Sequence, residues 1–303
     1  MWESAMKLLI TGADGQLAWD LAQQVKIMAS TESAFSFVAL NKQQLNICEP
    51  DSVKMAMQQY QPDIVINTAA YTAVDAAEQH RNQAFAVNQH GAAVIAQACA
   101  EADVPLIHMS TDYVFDGLGH HAYCENDTPR PINTYGESKW QGERGIMNSM
   151  SNYIILRVSG VFGVHGHNFV KTMIKLGQAQ RQIQVIDDQI TCPTPAGDIA
   201  DVILNIAKKM MTSPEKSLYG IYHYCSNPPV SWYRFAQAIF AEMRLLQKPC
   251  TQDVKPISHV DYRTAAKRPL HSVLDCTKIE RCFNIQQVPW QIGLKSLIRE
   301  LML

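Results

Sequence analysis

ITGADGQLAWDLAQQ, residues 10–24, is the stretch whose reading decides the fold. It follows a short apolar run, KLLIT (7–11), and opens a helical pattern from about Gln16. Glycines at positions 12 and 15 let the backbone turn tightly and approach a pyrophosphate, while the helix N-terminus offers unpaired N–H groups and partial positive charge. A strand-to-helix turn also needs glycine merely to turn, so the surrounding pattern has to decide between the two readings. The third small position is Ala18, whose single methyl still permits close packing of helix on strand.

Working outward, β-type runs FSFVAL (35–40), DIVINTAA (63–70), VPLIHMS (104–110) and YIILRVS (153–159) alternate with helical stretches, among them AFAVNQHGAAVIAQACAEA (84–102). That alternation predicts an α/β chain with a doubly wound parallel sheet of the Rossmann type. After about residue 160 it stops. Pro and Gly then punctuate DDQITCPTPAGD (187–198) and CSNPPVSW (225–232), between helical patterns and a short strand, GIYHYC (220–225). The expected division is a dinucleotide-binding domain at 6–160 and a smaller, mainly substrate-binding α/β domain at 161–303, a portion of which is free to return to the sheet.

The 303 residues are 47% hydrophobic, enough for a sizeable core. Twenty-six Lys+Arg against 28 Asp+Glu leave a formal charge of −2 with no basic run, which argues against nucleic acid or a membrane surface as partner and for a small molecule. Eight cysteines show no C-x-x-C and no zinc-like spacing, and read as free thiols in a reducing compartment. The N-terminal MWESAMKLLITG, with Glu3 and a short apolar run, is expected to be neither signal peptide nor membrane span. A cytoplasmic protein whose structured part begins at Met6 is the expectation.

NTYGESKWQGE (133–143) carries the chemistry. Tyr135 and Lys139 are one helical turn apart and share a face, and a cation beside a phenol makes it a better acid. Such pairs also arise by chance on exposed helices. PLIHMSTDYVFDG (105–117) ends its strand in Ser110, Thr111 and Asp112, where ligands of a doubly wound sheet bind, although a Ser-Thr pair serves equally as a cap or turn. At the end of the second strand, VALNKQQL has Asn41 and Lys42 where an acidic residue would bind an NAD ribose. This leans toward NADPH, with a plain surface lysine as the other reading. Asn88, locally unfavourable inside a helix, suits a polar contact, with an ordinary exposed helical asparagine as the other reading. His108 reads as a satisfied core histidine, and HGHNF (165–169) lacks the further ligands a metal needs, so no metal is expected.

The glycine loop, STDYVFDG, NTYGESKWQGE, ILRVSGVFG, NFVKTMIKLGQ, VIDDQITCPT and RPLHSVLDCTKIE, in this order and spacing over nearly the whole chain, resemble the extended short-chain dehydrogenase/reductase family. The resemblance implies NADPH, or NADH, as cofactor and a dTDP-sugar as substrate, with a homodimer among the assemblies it allows. The implied reaction reduces the 4-keto group of a dTDP-4-dehydro-6-deoxy-L-hexose to dTDP-L-rhamnose or a related nucleotide sugar. Tyr135 would be the general acid, Lys139 would favour its ionised form and hold the nicotinamide ribose, and Thr111 would hold the reacting oxygen. Gly12, Asp14, Gly15, Gln16, Leu17, Asn41, Lys42, Ala69 and Ala70 would bind the cofactor with Tyr135 and Lys139; Asp112, Val114, Phe115, Asn168 and Arg268 would meet the substrate. For Arg268 the alternatives are a substrate diphosphate and a surface ion pair. Other members of the family are epimerases, or regulatory subunits such as the β subunit of methionine adenosyltransferase. Gly160 stands where relatives usually carry a tryptophan (R-T-S-W-V), which predicts a wider pocket there, with Phe162 replacing part of the lost surface.

Overall fold

The computed structural model describes residues 5–31, 35–212 and 216–302; the reading of the N-terminus falls partly outside them, at residues 1–4. The chain runs β1 (Met6–Thr11), α1 (Gln16–Thr31), β2 (Phe35–Leu40), α2 (Pro50–Tyr60) and β3 (Ile64–Asn67). After β3 come α3 (Val74–Gln79), α4 (Arg81–Phe85), a π-helical turn (Ala86–Gly91), α5 (Ala92–Ala102), β4 (Leu106–Thr111), α6 (Thr134–Ser149) and β5 (Tyr153–Val158). These five strands and one later strand form a six-stranded sheet in which every described pairing is parallel, and whose strand order reverses beside β1. The doubly wound expectation is met. Ligands of such sheets bind outside the C-terminal strand ends at the reversal, here between β1 and β3.

Successive strand residues point to opposite faces, and the core divides accordingly. Leu8, Ile10, Ile64, Ile66, Ile107, Ile154 and Leu156 pack with Leu21 and Val25 of α1. Leu9, Val65, Leu106 and Ile155 pack with Val53 of α2, Ile95 of α5 and Ile146 of α6. Burial on both faces is why these strands read as continuous apolar runs.

Residues 84–102, expected as one helical stretch, contain the π turn at 86–91. Asn88 there is turned inward. Its Oδ1 accepts the Tyr71 N–H at 2.8 Å, and its Nδ2 donates to the Tyr71 carbonyl at 3.0 Å and to the Ser138 hydroxyl at 2.9 Å. The turn fastens the loop after β3 to α6, the helix of Tyr135 and Lys139; π turns of this kind recur at functional sites.

Beyond β5 the elements are β6 (Val161–Phe162), α7 (Phe169–Ala179), β7 (Gln182–Ile186), β8 (Ile190–Thr191), β9 (Thr194–Pro195), α8 (Ala196–Thr212) and β10 (Gly220–Tyr224). The last are β11 (Val230–Ser231), α9 (Trp232–Leu245), β12 (Asp253–Ile257), α10 (Thr277–Phe283) and α11 (Trp290–Met302). β10 joins the main sheet beside β5, and Ile199, Ile203 and Ile206 of α8 complete the core that α1 covers. A separate core gathers Val170 and Ile174 of α7, Phe235 and Ile239 of α9, and Leu294 and Ile298 of α11 over Ile183 and Val185 of β7. No helix among the described residues is long and apolar enough to cross a membrane.

Candidate active site

A cavity of about 730 Å³ opens at the C-terminal strand ends, within the range of small-molecule and cofactor sites. Gly12, Asp14, Gly15, Gln16 and Leu17 line it beside Ala69 and Ala70. Gly12 has φ +73°, and a Cβ there would lie 2.8 Å from the Ala69 Cα, so a side chain is excluded both by conformation and by space. The loop closes with the Gly15 N–H on the Gly12 carbonyl at 2.8 Å, just before α1 begins.

α6 starts where Asn133 caps it, its side chain accepting the Gly136 N–H at 2.7 Å. Asn133 Nδ2 also donates to the Lys267 carbonyl at 2.8 Å, and Glu78 accepts from both the amide and the hydroxyl of Thr134. This places Tyr135 in the first turn and Lys139 in the second, and both line the cavity with Thr111 and Asp112 at the end of β4. Thr111 is 6% exposed, and its hydroxyl donates to Asp112 Oδ1 at 3.1 Å and accepts the Tyr113 N–H at 3.2 Å. Lys139 Nζ donates to the Met109 carbonyl at 2.6 Å and lies 3.3 Å from His108 Nε2.

Burial pushes the Tyr135 phenol up to about 12, against a smaller lowering by the Thr111 hydrogen bond. Burial also brings the Lys139 amine down to about 8, partly offset by Glu143. The expected lowering of the phenol by Lys139 is therefore not the governing effect: burial dominates. The phenol is protonated at neutral pH with or without this shift, and burial makes it the weaker acid. Asp112, fully enclosed, is raised to about 6 by burial despite hydrogen bonds from Ser272, Ser159 and Thr111.

The family described as "RmlD substrate binding domain" matches residues 6–303. The chain belongs to that family. A dTDP-4-dehydrorhamnose reductase of Aggregatibacter actinomycetemcomitans is 42% identical over 293 residues, 96% of this chain and 98% of that protein. A crystal structure of dTDP-4-dehydrorhamnose reductase from Bacillus anthracis in complex with NADP superposes with TM-score 0.87 at 35% identity, over 98% of this chain and 99% of that one. The Clostridium acetobutylicum orthologue gives TM-score 0.89 at 32% identity, covering 98% and 100%.

Within this RmlD framework, several residues read from sequence as ligand-facing have other work. Val114 and Phe115 are fully buried, and the Phe115 ring stacks on Tyr123 at 4.3 Å with the Arg157 guanidinium 5.2 Å from its centroid. The short 3-10 turn after Thr111 rotates both inward to the core. Asn41 forms a turn, its Oδ1 accepting the Gln43 and Gln44 amides, while the exposed Lys42 beside it does line the cavity. Asn168 caps α7 through the Lys171 N–H and donates to Gln16 Oε1 at 2.7 Å, so it steadies the glycine loop from outside. Arg268 forms a bidentate pair with Asp75, 2.6 Å at its shorter contact, and Tyr113 lines the cavity in its place.

Phe162 is turned into the separate core against Phe235 and does not replace a missing indole; Phe169 and Trp232, stacked obliquely at 4.6 Å, supply the aromatic wall instead. Sequence reasoning missed both as cavity residues, although they open two amphipathic helices. Gly160 has φ +57°, and a Cβ there would meet the Cys192 carbonyl oxygen at 2.9 Å and the Pro193 Cα at 3.0 Å. The glycine is thus demanded by the backbone of the RmlD pocket as this chain builds it. Gly160→Trp is expected to lose about 1–3 kcal/mol through left-handed strain alone, measurable as a lowered denaturation midpoint; a variant as stable as the parent would show that the loop relaxes freely.

Proposed function

We propose that the protein reduces the 4-keto group of dTDP-4-dehydrorhamnose to dTDP-L-rhamnose with NADPH. The observation that carries this reading is the gathering of Thr111, Tyr135 and Lys139 on the wall of a cavity floored by the glycine loop. Gly12, Asp14, Gly15, Gln16, Leu17, Ala69 and Ala70 would hold NADPH, which when bound would supply the hydride for the carbonyl carbon. Tyr135 gives its proton to the carbonyl oxygen, and Thr111 holds that oxygen against the phenol. Lys139 would hold the nicotinamide ribose. The aromatic wall of Phe169 and Trp232 bounds the sugar-nucleotide side of the cavity. The division into a cofactor-binding domain at 6–160 and a mainly substrate-binding domain at 161–303 belongs to the same proposal, as does a cytoplasmic location, which the eight free thiols support.

The test is loss of reduced-nicotinamide absorbance on mixing the protein with NADPH and enzymatically prepared dTDP-4-dehydrorhamnose, followed by identification of the product. Cofactor binding without oxidation would sink the reductase reading in favour of a regulatory subunit. Lys42→Ala should raise the KM for NADPH about fivefold and leave that for NADH unchanged, as expected for losing about 1 kcal/mol of attraction to a 2′-phosphate at an exposed site. Equal effects on both cofactors would remove Lys42 from phosphate recognition.

A further inference from the structure

His108 sits in the middle of β4, 1% exposed, and touches Lys139 on one side and Asn67 on the other. The orientation of Asn67 is fixed. Its Oδ1 accepts the Thr11 hydroxyl at 2.6 Å and the Ala69 N–H at 3.2 Å, and a backbone N–H can only donate. The amide nitrogen of Asn67 therefore faces His108 Nδ1, at 3.0 Å, and donates to it. A neutral imidazole that accepts at Nδ1 carries its proton on Nε2. Burial and the Lys139 charge both hold the ring well below its usual ionisation range, so it stays neutral. Its Nε2–H is then directed at Lys139 Nζ, 3.3 Å away.

A ring N–H aimed at an amine welcomes the neutral amine, whose lone pair can accept it, and opposes the ammonium. The amine's remaining fixed partner is the Met109 carbonyl. We propose that His108, held in its Nε2–H tautomer by Asn67, is a positioning residue that aims Lys139 at the cavity and sets the pH range over which its amine changes charge. The chain Ala69 N–H, Asn67, His108, Lys139 joins the catalytic amine to the backbone that packs against Gly12, so the lysine and the glycine loop share one hydrogen-bond network. Among the described residues, Glu143 on its own helix acts on the charge of the amine, Tyr135 and Asp112 line the same cavity, and Arg157 on β5 reaches it through Glu143. Arg157 is bound to Glu143. Glu143 acts in the opposite sense, favouring the ammonium.

This inference rests on the proposed reduction only for its kinetic readout. In the full-length protein labelled with ¹⁵N-histidine, the His108 signals, assigned by their loss in His108→Phe, should show an unprotonated Nδ1 and a protonated Nε2 across neutral pH. A protonated Nδ1 overturns the proposal, whatever the substrate proves to be. His108→Phe keeps a ring of similar bulk and removes the N–H. The alkaline limb of its kcat/KM profile should then move up by about one pH unit, a tenfold gain in proton affinity of Lys139. An unmoved limb in a variant that melts near the wild-type temperature overturns it too; if the variant does not fold, the tautomer measured in the wild type decides, with assignment by selective mutation of the other histidines.

Discussion

Tyr135→Phe is expected to lower kcat by about 10²–10⁴-fold, the range for losing a positioned general acid, while leaving the dissociation constant for NADPH within about twofold. The phenol lines the cavity with Thr111 and is held protonated by burial, up to about 12. Phenylalanine keeps the ring that lies edge-on to Tyr113, with centroids 5.9 Å apart, so the fold and the cofactor surface are preserved. The kcat and the NADPH titration are measured separately, because binding and chemistry fail differently. A variant that retains most of its turnover would show that another group delivers the proton, and the geometry nominates Thr111 through the buried Asp112. Loss of NADPH affinity in parallel would mean that the phenol serves binding.

The fold and the grouping of Tyr135 with Lys139 were legible in the sequence because each depends on local pattern. Runs such as FSFVAL, buried on two faces, have no polar alternation to confuse them, and Tyr135 and Lys139 need only one helical turn to share a face. What could not be read was decided by contacts distant in sequence. Asn88 turns inward because Tyr71 and Ser138, 17 and 50 residues away, offer partners. Phe115 leaves the cavity because Tyr123 and Arg157 offer its ring two flat faces. Gly160 reads in one dimension as a lost tryptophan; in three it is a left-handed residue pressed against Cys192 and Pro193. His108 was legible as a satisfied core histidine, yet nothing along the chain announced that its partner is Lys139.

Arg157→Ala should cost about 3–5 kcal/mol, the penalty of leaving a buried charge without its partner, out of the 5–15 kcal/mol typical of a whole domain. Arg157 is fully buried, and its guanidinium meets Glu143 through contacts of 2.6 and 2.9 Å while also approaching His223 Nε2 at 3.3 Å. Ser110, beside Thr111, donates to the same carboxylate. The deficit of Arg157→Ala against wild type is read from denaturant titrations; a loss below about 1 kcal/mol would rank the pair with exposed ion pairs instead. Replacing both partners, in Arg157→Met with Glu143→Leu, should recover most of the stability. Since Tyr135, Lys139 and Glu143 succeed one another at four-residue steps on one face of α6, that double variant isolates what the ion pair does for chemistry. Restored stability with kcat still depressed would mean that the clamp at Glu143 aims the acid and the amine two turns and one turn above it, whereas restored kcat would leave the pair a purely structural fastening of α6 to β5.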